Sequence, residues 1–236
     1  MTSRTEKEAF VWIWLPDETE PVVAGRLEAD NGNVLFNYGR SYLDRTIESK
    51  PAIAIYEPEF PLRAGELPLP AGLAMPGCIR DTAPDAWGRR VIINKKYGLK
   101  GSSIDTAELD ELTYLLESGS DRIGALDFQR SPTEYVPRIS ANVNIEELIE
   151  SAERVEKGVA LTPELDQALF HGSSIGGARP KALIQDQGKK YVAKFSSSTD
   201  LYNVVKAEFI AMRLADFVGL NAAPVKLTKA ANKDVL

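Results

Sequence analysis

A short run of small residues precedes a lysine-bearing hairpin in the C-terminal part of the chain. Residues 173–195 read S-S-I-G-G-A-R-P-K-A-L-I-Q-D-Q-G-K-K-Y-V-A-K-F. The glycine loop, as we call it, consists of Ile175, Gly176, Gly177 and Ala178. Its backbone amides have little side chain around them, so it can close over an anion and bind it through N–H groups. The alternative is an ordinary connection into a hairpin.

Two lysines and a glutamate could complete a phosphate-binding site. Lys181 opens the first strand after the loop, and Lys194 lies in the apolar return strand beyond the turn at 186–189. A lysine in an apolar strand costs desolvation unless a carboxylate or a phosphate meets it. Glu208 lies on the inward-facing stripe of the helix predicted over residues 202–217, which Gly219 ends. The sequence therefore predicts a Lys194–Glu208 pair.

The order of these features is that of a protein kinase. Kinases bind the nucleotide phosphates with a glycine loop, a strand lysine and a helix glutamate, in that order along the chain. The loop is not a Walker A motif, because no G-x-x-x-x-G-K-[ST] occurs, and it also lacks the generic G-x-G-x-x-G.

Several separate motifs resemble one kinase family. The runs S-I-G-G-A-R-P-K, Y-V-A-K-F and E-F-I-A-M-R-L-A-D-F-V-G-L are similar to the HipA family of serine/threonine kinases, the toxins of bacterial toxin–antitoxin pairs. Upstream motifs look like that family's N-terminal region: G-R-L-E at Gly25, F-N-Y at Phe36, Y-L at Tyr42, P-D-A-W-G-R-R at Pro84 and G-A-L-D-F at Gly124. The resemblance covers nearly the whole chain.

The resemblance implies ATP and Mg²⁺ as cofactors of the full-length kinase. The γ-phosphate would pass to a serine of a translation component, glutamyl-tRNA synthetase in the best-known members. A small HipB-like helix-turn-helix antitoxin would hold the kinase in check and would be its indirect link to DNA. The glycine loop, with Ser174 at its head, would cover the phosphates. Lys194 would pair the α/β-phosphates, Glu208 would hold Lys194, and Lys181 would be a further phosphate contact.

Ser174 matches the serine that HipA-like kinases phosphorylate on themselves. A phosphate there would add roughly −1.5 to −2 charge where the nucleotide phosphates must lie. The glycines allow the loop to swing outward and remove its amides from the ATP site. We therefore predict that phosphorylation of Ser174 switches nucleotide binding off and that Ser173 is silent. The alternative is that both serines only cap a turn.

The catalytic residues of a kinase are not identified in this chain. Asp216 and Asn221 have the D-x-x-x-x-N spacing of a catalytic loop, but Asp216 falls in the last turns of a predicted helix and no H-R-D precedes it. His171, the single histidine, has no orienting acid for a nucleophile pair. The chain reads as a fragment of a longer kinase or as a shortened gene product without catalysis. We expect no phosphotransfer by the chain alone.

Two other functions remain open from the residues. The chain could be a noncatalytic module that docks an antitoxin or regulates a kinase core encoded separately, which its aromatic N-terminal strands favour. It could also be an ATP-independent scaffold.

The composition excludes several classes. A net charge of −6 over 236 residues argues against nonspecific binding to nucleic acid. Cys78 is the single cysteine, which excludes an internal disulfide and a cysteine-cluster metal site and favours a small core residue. No apolar run approaches the ~20 residues of a membrane span, and the polar start is no signal peptide, so we expect a cytoplasmic protein without a membrane partner.

The patterns predict an α+β fold. Residues 1–140 would form a small antiparallel β module with helices, and residues 141–236 a partial kinase-like N-lobe, an antiparallel sheet plus a helix. Strands are predicted at 10–15, 22–27, 34–38, 53–56, 123–128, 182–185, 191–195 and 223–227. Helices are predicted at 84–96, 105–116, 145–157, 162–172 and 202–217, with no clear element after residue 227.

Overall fold

The chain folds into two compact units with mixed α+β structure, as predicted. The computed structural model describes residues 6–45, 50–97, 109–122, 124–138, 144–162, 174 and 176–236. The first unit comprises Met1–Ala83 and Ala107–Arg138, and the second comprises Pro84–Thr106 and Ile139–Leu236. The predicted boundary at residue 140 assigns residues 84–106 to the first module, whereas in the structure they belong to the second unit.

The first unit is built on an antiparallel five-stranded sheet. Its strand order is β4-β3-β2-β1-β5. The strands are β1 (Glu8–Ile13), β2 (Val22–Asp30), β3 (Asn33–Tyr38), β4 (Glu66–Leu67) and β5 (Leu126–Gln129). Asn31 and Gly32, between β2 and β3, both have positive φ, which is the backbone of a tight hairpin turn.

The core of this unit follows the period of two that strands impose. Val11 and Ile13 of β1 are buried, and Leu27, Phe36 and Phe128 of the neighbouring strands are fully buried. Three short helices accompany the sheet: α1 (Arg40–Leu43), α2 (Gly77–Arg80) and, further along the chain, α4 (Glu111–Glu117).

Cys78 lies half-buried at the start of α2 and packs against this core. Glu59 accepts hydrogen bonds from the backbone amides of Gly77 and Cys78, at 3.1 and 2.9 Å. Burial and the neighbouring Glu59 carboxylate raise the pKa of the thiol to about 12. Cys78 is therefore an unreactive packing residue, because the thiolate is the reactive form.

Among the residues that the structure describes, the second unit combines two hairpins with three helices. The first hairpin joins β6 (Lys181–Asp186) to β7 (Lys189–Lys194), and the second joins β8 (Thr228–Ala230) to β9 (Lys233–Val235). The helices are α3 (Ala86–Tyr97), α5 (Ile145–Glu156) and α6 (Val204–Phe217). The core of the unit contains Trp87, Val91, Leu148, Ile149, Ala193, Phe195 and Val235.

Helix α6 ends as predicted. Gly219 follows its last turn with φ 83°, the left-handed conformation that commonly terminates helices. Asn203 begins it, and its side chain accepts a hydrogen bond from the Lys206 amide.

Two predicted strands are wrong, and one hairpin was missed. Residues 53–56 are described and form no strand, because the Tyr42 and Tyr38 hydroxyls accept hydrogen bonds from the amides of Ile53 and Ile55. Residues 223–227, also described, are irregular, and the chain pairs only from Thr228 onward. The β8–β9 turn at 231–232 uses positive φ at Ala and Asn, a pair that gives a weak turn signal.

The helix predicted at 162–172 lies almost entirely outside the described residues. Within the part of the chain that the structure describes, no helix combines the length and apolar character needed to cross a membrane.

Candidate functional site

The glycine loop leads into a hairpin that sets two lysines opposite each other. The turn at Gln187 and Gly188 has positive φ at both residues, which fixes the register of the hairpin. In this register Lys181 pairs with Lys194. Side chains of directly paired residues share a face, and like charges in such positions repel unless counter-charges meet them. The hairpin thus places two cations side by side at the end that adjoins the loop.

Glu208 neutralises one of these cations. Lys194 Nζ donates a hydrogen bond to Glu208 Oε1, which confirms the predicted pair between β7 and α6. The Lys194 side chain is 40% exposed and that of Glu208 is 32% exposed. Because both side chains are partly exposed, the pair contributes about 1 kcal/mol or less to stability.

The backbone of Lys194 is held from the other side by β9. The Lys194 amide donates to the Leu236 carbonyl at 2.8 Å, and the Leu236 amide donates back at 3.2 Å. Phe195 and Val235 form an isolated antiparallel bridge next to this pair. The strand that carries Lys194 is thus hydrogen-bonded on both edges, which fixes the direction of the lysine.

Lys181 is buried without a partner. Its side chain is 5% exposed, and its Nζ has no hydrogen-bond partner among the described residues. Burial lowers the pKa of the ammonium, Asp85 and Glu208 raise it, and Lys194 and Arg179 lower it further. A buried cation of this kind is an unsatisfied donor that an anion can satisfy.

Gly177 lies directly over this ammonium. Its φ of 112° is a conformation that residues with side chains rarely adopt, and a β-carbon there would lie 2.5 Å from Lys181 Nζ. The positive φ therefore favours glycine at this position, and a side chain there would also displace the flexible end of Lys181. Gly176, Gly177 and Ala178 are exposed to solvent.

Asp85 is a site residue that sequence reasoning missed. It lies immediately before α3, and a β-carbon on Gly176 would be 3.5 Å from its Oδ2. Burial raises the pKa of its carboxyl, with Lys181, the Trp87 amide and Arg89 acting in the opposite direction. The next aromatic residue, Trp87, donates from Nε1 to the Lys181 carbonyl at 3.0 Å. The P-D-A-W motif thus contributes to the surroundings of the loop, although it lies about ninety residues away in sequence.

A second anchor holds the end of the loop. Arg179 Nη2 donates to Asp200 Oδ2 at 2.6 Å, and the same carboxylate oxygen accepts from the Ser197 amide at 2.9 Å. Ser197 Oγ in turn donates to Glu156 of α5. Arg179, which follows the glycine loop, is therefore fixed to the segment after β7, and that segment is fixed to α5.

The remaining predicted site residues have these positions. Ser174 lies half-buried in a turn, whereas Ile175, Ser173 and His171 lie outside the described residues. Asp216 and Asn221 are exposed, and Asp216 lies in the last turn of α6, the helical position predicted for it. Among the described residues, no group of three or more His, Cys, Asp or Glu side chains could hold a metal ion.

The fold and the site define an α+β protein that presents a glycine loop over a lysine pair. Comparison with protein families assigns it more closely. The family model of the HipA N-terminal domain matches residues 13–129, and that of the HipA-like C-terminal domain matches residues 173–236. Together they cover most of the chain, and the chain belongs to the HipA family. No curated protein and no solved structure gives a significant match.

Proposed function

We propose that this chain carries the ATP phosphate-binding part of a HipA-like serine/threonine kinase. The observation that carries the proposal is the register that sets Lys181 opposite Lys194 beneath a glycine loop. One lysine is held by Glu208, and the other has no partner among the described residues. Family membership supports the same assignment.

Each group of the site has a distinct part in binding. The loop amides donate to phosphate oxygens, because no side chain blocks them at 176–177. Lys194, fixed by Glu208, supplies a positive charge for the α/β-phosphates, and Lys181 supplies a second one from below. ATP, when bound, supplies the γ-phosphoryl group. No magnesium ligand is assigned to the described residues.

The test is ATP binding by the full chain, measured by calorimetry. We expect binding that Lys194→Met reduces at least about tenfold, because a charge-assisted phosphate contact is lost. Lys189→Met is the matched control, since it removes one charge from an exposed position of the same strand. Equal losses in both variants, or no binding by the unchanged chain, would overturn the proposal.

The proposal is limited to binding for the chain by itself. We expect no transfer of radiolabelled γ-phosphate to a protein substrate, since no catalytic base or metal-binding Asp is assigned downstream of Glu208. Labelling of a substrate that is abolished in Lys194→Met would contradict this limit. In a complete kinase the substrate would be a protein such as an aminoacyl-tRNA synthetase.

Phosphorylation of Ser174 is the regulatory step of the proposal. A charge of roughly −1.5 to −2 at the head of the loop opposes the phosphates of ATP. Ser174→Glu should weaken ATP binding, whereas Ser173→Glu should leave it nearly unchanged. If the two variants bind ATP equally well, Ser174 is not the switch.

The proposed setting is a cytoplasmic toxin–antitoxin pair. Family membership favours a HipB-like helix-turn-helix antitoxin as the partner, and contact with DNA would then run through that antitoxin. The net charge of −6 agrees with a protein that does not bind DNA by itself.

A second candidate function is a noncatalytic module that binds a separately encoded kinase core. The observation that favours it is the exposed apolar face of α6, where Ile210, Leu214 and Phe217 are 57%, 58% and 87% exposed. Apolar surface of this kind marks an interaction site when it is contiguous. Capture of a kinase-core protein from the native cell, lost in Leu214→Glu but kept in the control Leu201→Glu, would favour this function.

A further inference from the structure

Two charged groups of opposite sign, a buried lysine and a half-buried aspartate, lie close to the glycine loop. Lys181 Nζ and Asp85 Oδ1 are both shielded from solvent, and neither has a hydrogen-bond partner in the described part of the chain. The β-carbon positions of the loop glycines locate them. A β-carbon built on Gly177 would lie 2.5 Å from the ammonium nitrogen, and one built on Gly176 would lie 3.5 Å from Asp85 Oδ2.

The simple explanation of Asp85 is that it caps a helix. It precedes Ala86, the first residue of α3, and the backbone amide of Trp87 lowers the pKa of its carboxyl. Serine and asparagine cap helices about as well without a charge. Capping therefore does not explain why a charged residue is half-buried here, since partial burial of a charge also costs free energy.

A carboxylate also opposes the binding of an anion to the adjoining loop. Its position is explained by the cation beside it, because Asp85 and Lys181 are each the main charged neighbour of the other. The charged groups around Lys181 are Asp85, Lys194, Arg179 and Glu208. The charged groups around Asp85 are Lys181 and Arg89.

We propose that Asp85 is a positioning residue that acts as the internal counter-ion of Lys181, which a nucleotide phosphate displaces on binding. The proposal rests on the proposed function of the loop. In the absence of nucleotide, the carboxylate is the main counter-charge of the ammonium, and the Lys181 Nζ atom forms no hydrogen bond with it. When a phosphate enters the loop, it becomes the counter-charge of Lys181, and its repulsion from Asp85 limits the affinity and favours release.

If Asp85 competes with the phosphate for Lys181, removing its charge should strengthen ATP binding. Asp85→Asn keeps the size of the side chain and the helix cap but removes the charge. We expect the full-length variant to bind ATP roughly three- to tenfold more tightly than the unchanged chain, from the lost repulsion between like charges. The measurement is calorimetry at pH 6.5, which favours the protonated amine of Lys181 in both proteins.

The matched control is Asp186→Asn. It makes the same change in net charge at the exposed far end of β6, about 15 Å along the strand from Lys181. We expect its ATP affinity to equal that of the unchanged chain. Asp85→Ser, which also caps helices, replaces Asp85→Asn if that variant does not fold.

The outcomes separate this inference from the function on which it rests. If the unchanged chain binds ATP and Asp85→Asn binds it equally or more weakly, Asp85 does not compete with the phosphate and this inference alone is overturned. If Asp186→Asn tightens binding to the same extent, the effect is one of net charge and the inference is overturned as well. If neither protein binds ATP, both proposals fail.

Discussion

At the scale of single residues, Gly177 is the position where backbone and chemistry constrain the chain together. Its φ of 112° disfavours any side chain, and the space that a β-carbon would need is taken by Lys181. We expect Gly177→Ala to destabilise the chain by at least about 1 kcal/mol and to weaken ATP binding, because the loop or the lysine must move.

Gly188 is the matched control for this prediction. It also has positive φ, at 77°, but a β-carbon there would meet open space. Gly188→Ala should therefore cost about 1 kcal/mol of stability through its backbone alone and leave ATP binding unchanged. Denaturant unfolding and calorimetry measure the two effects separately. If both variants lose ATP affinity equally, the packing of Gly177 on Lys181 has no functional role.

Asp127 is the most densely hydrogen-bonded carboxylate that the structure describes in the first unit. It is fully buried in β5 and accepts hydrogen bonds from Ser120, Arg122, Gln129, Tyr135 and Arg138, at distances of 2.6 to 3.1 Å. Burial raises the pKa of its carboxyl, but Arg138 and Arg122 lower it, and the result is below the ordinary value. Burial also lowers the pKa of Arg122 to about 10, so this arginine stays charged at neutral pH.

Asp127→Asn should destabilise the first unit by about 3–5 kcal/mol, since it leaves Arg122 buried without its counter-charge. The pH dependence follows from the lowered pKa. The stability that ionised Asp127 contributes is complete above the pKa of the unfolded chain, near 4, and is lost as the pH falls through the lower folded value.

Unfolding in urea at several pH values between 3 and 7 tests the Asp127 prediction. The unchanged chain should lose stability toward pH 3 more steeply than Asp127→Asn. Asp44→Asn is the control, because it makes the same change in charge at an exposed position of the first unit. Parallel pH curves for the chain and Asp127→Asn would contradict the role of the carboxylate.

The residues that the sequence predicted correctly are those that are close along the chain. Lys194 and Glu208 lie within one strand and the next helix, so their pairing follows from period and spacing. Asp85 lies some ninety residues before the loop, and no local pattern links it to Lys181. The buried cluster around Asp127 could not be predicted, because a charged residue in a strand does not indicate which arginines will contact it.

At the scale of elements, the close approach of β2 and β3 depends on Gly25. A β-carbon on Gly25 would overlap the Asn37 carbonyl oxygen and lie 2.7 Å from the Phe36 ring. Because the obstacle includes backbone of the paired strand, side-chain rotation cannot relieve it. The G-R-L-E motif thus has a packing reason at its first position.

We expect Gly25→Ala to destabilise the sheet by about 1–3 kcal/mol or more, the usual cost of overpacking a core. Gly39→Ala is the control, because the nearest atom to its β-carbon would be 3.7 Å away, an ordinary contact. It should cost about 1 kcal/mol at most. Thermal melts of the two variants measure the difference, and similar melting temperatures would show that the strands can move apart freely.

The helices and strands that the sequence predicts correctly are those for which turn residues and hydrophobic periodicity agree. The hairpins at Asn31-Gly32 and Gln187-Gly188 and the helix before Gly219 are examples. The errors at 53–56 and 223–227 have a different origin. Apolar alternation shows that a segment is half-buried, but pairing needs a partner strand, and tertiary hydrogen bonds from tyrosines used the backbone of 53–56 instead.

At the scale of the whole molecule, the chain passes from one compact unit to the other more than once. The second unit includes Pro84–Thr106, which the sequence separates from the rest of that unit by Ala107–Arg138. The sequence pattern cannot predict which unit residues 84–106 join, because α3 has an apolar inner side that would suit either core. Trp87, fully buried in the core of the second unit, is the residue that fixes the assignment.

The division into two units predicts that core damage stays within a unit. Trp87→Ala should cost about 3–5 kcal/mol by creating a cavity, and it also removes the hydrogen bond to the Lys181 carbonyl. Hydrogen exchange should then increase in α5 and in the β6–β7 hairpin, since local stability follows cooperative units.

The reciprocal variant is Phe128→Ala, which empties a fully buried position in the core of the first unit. It should increase hydrogen exchange in β1, β2 and β3. If Trp87→Ala increases exchange in β1–β3 as much as in β6–β7, the two units unfold as one and the assignment of residues 84–106 carries no energetic meaning.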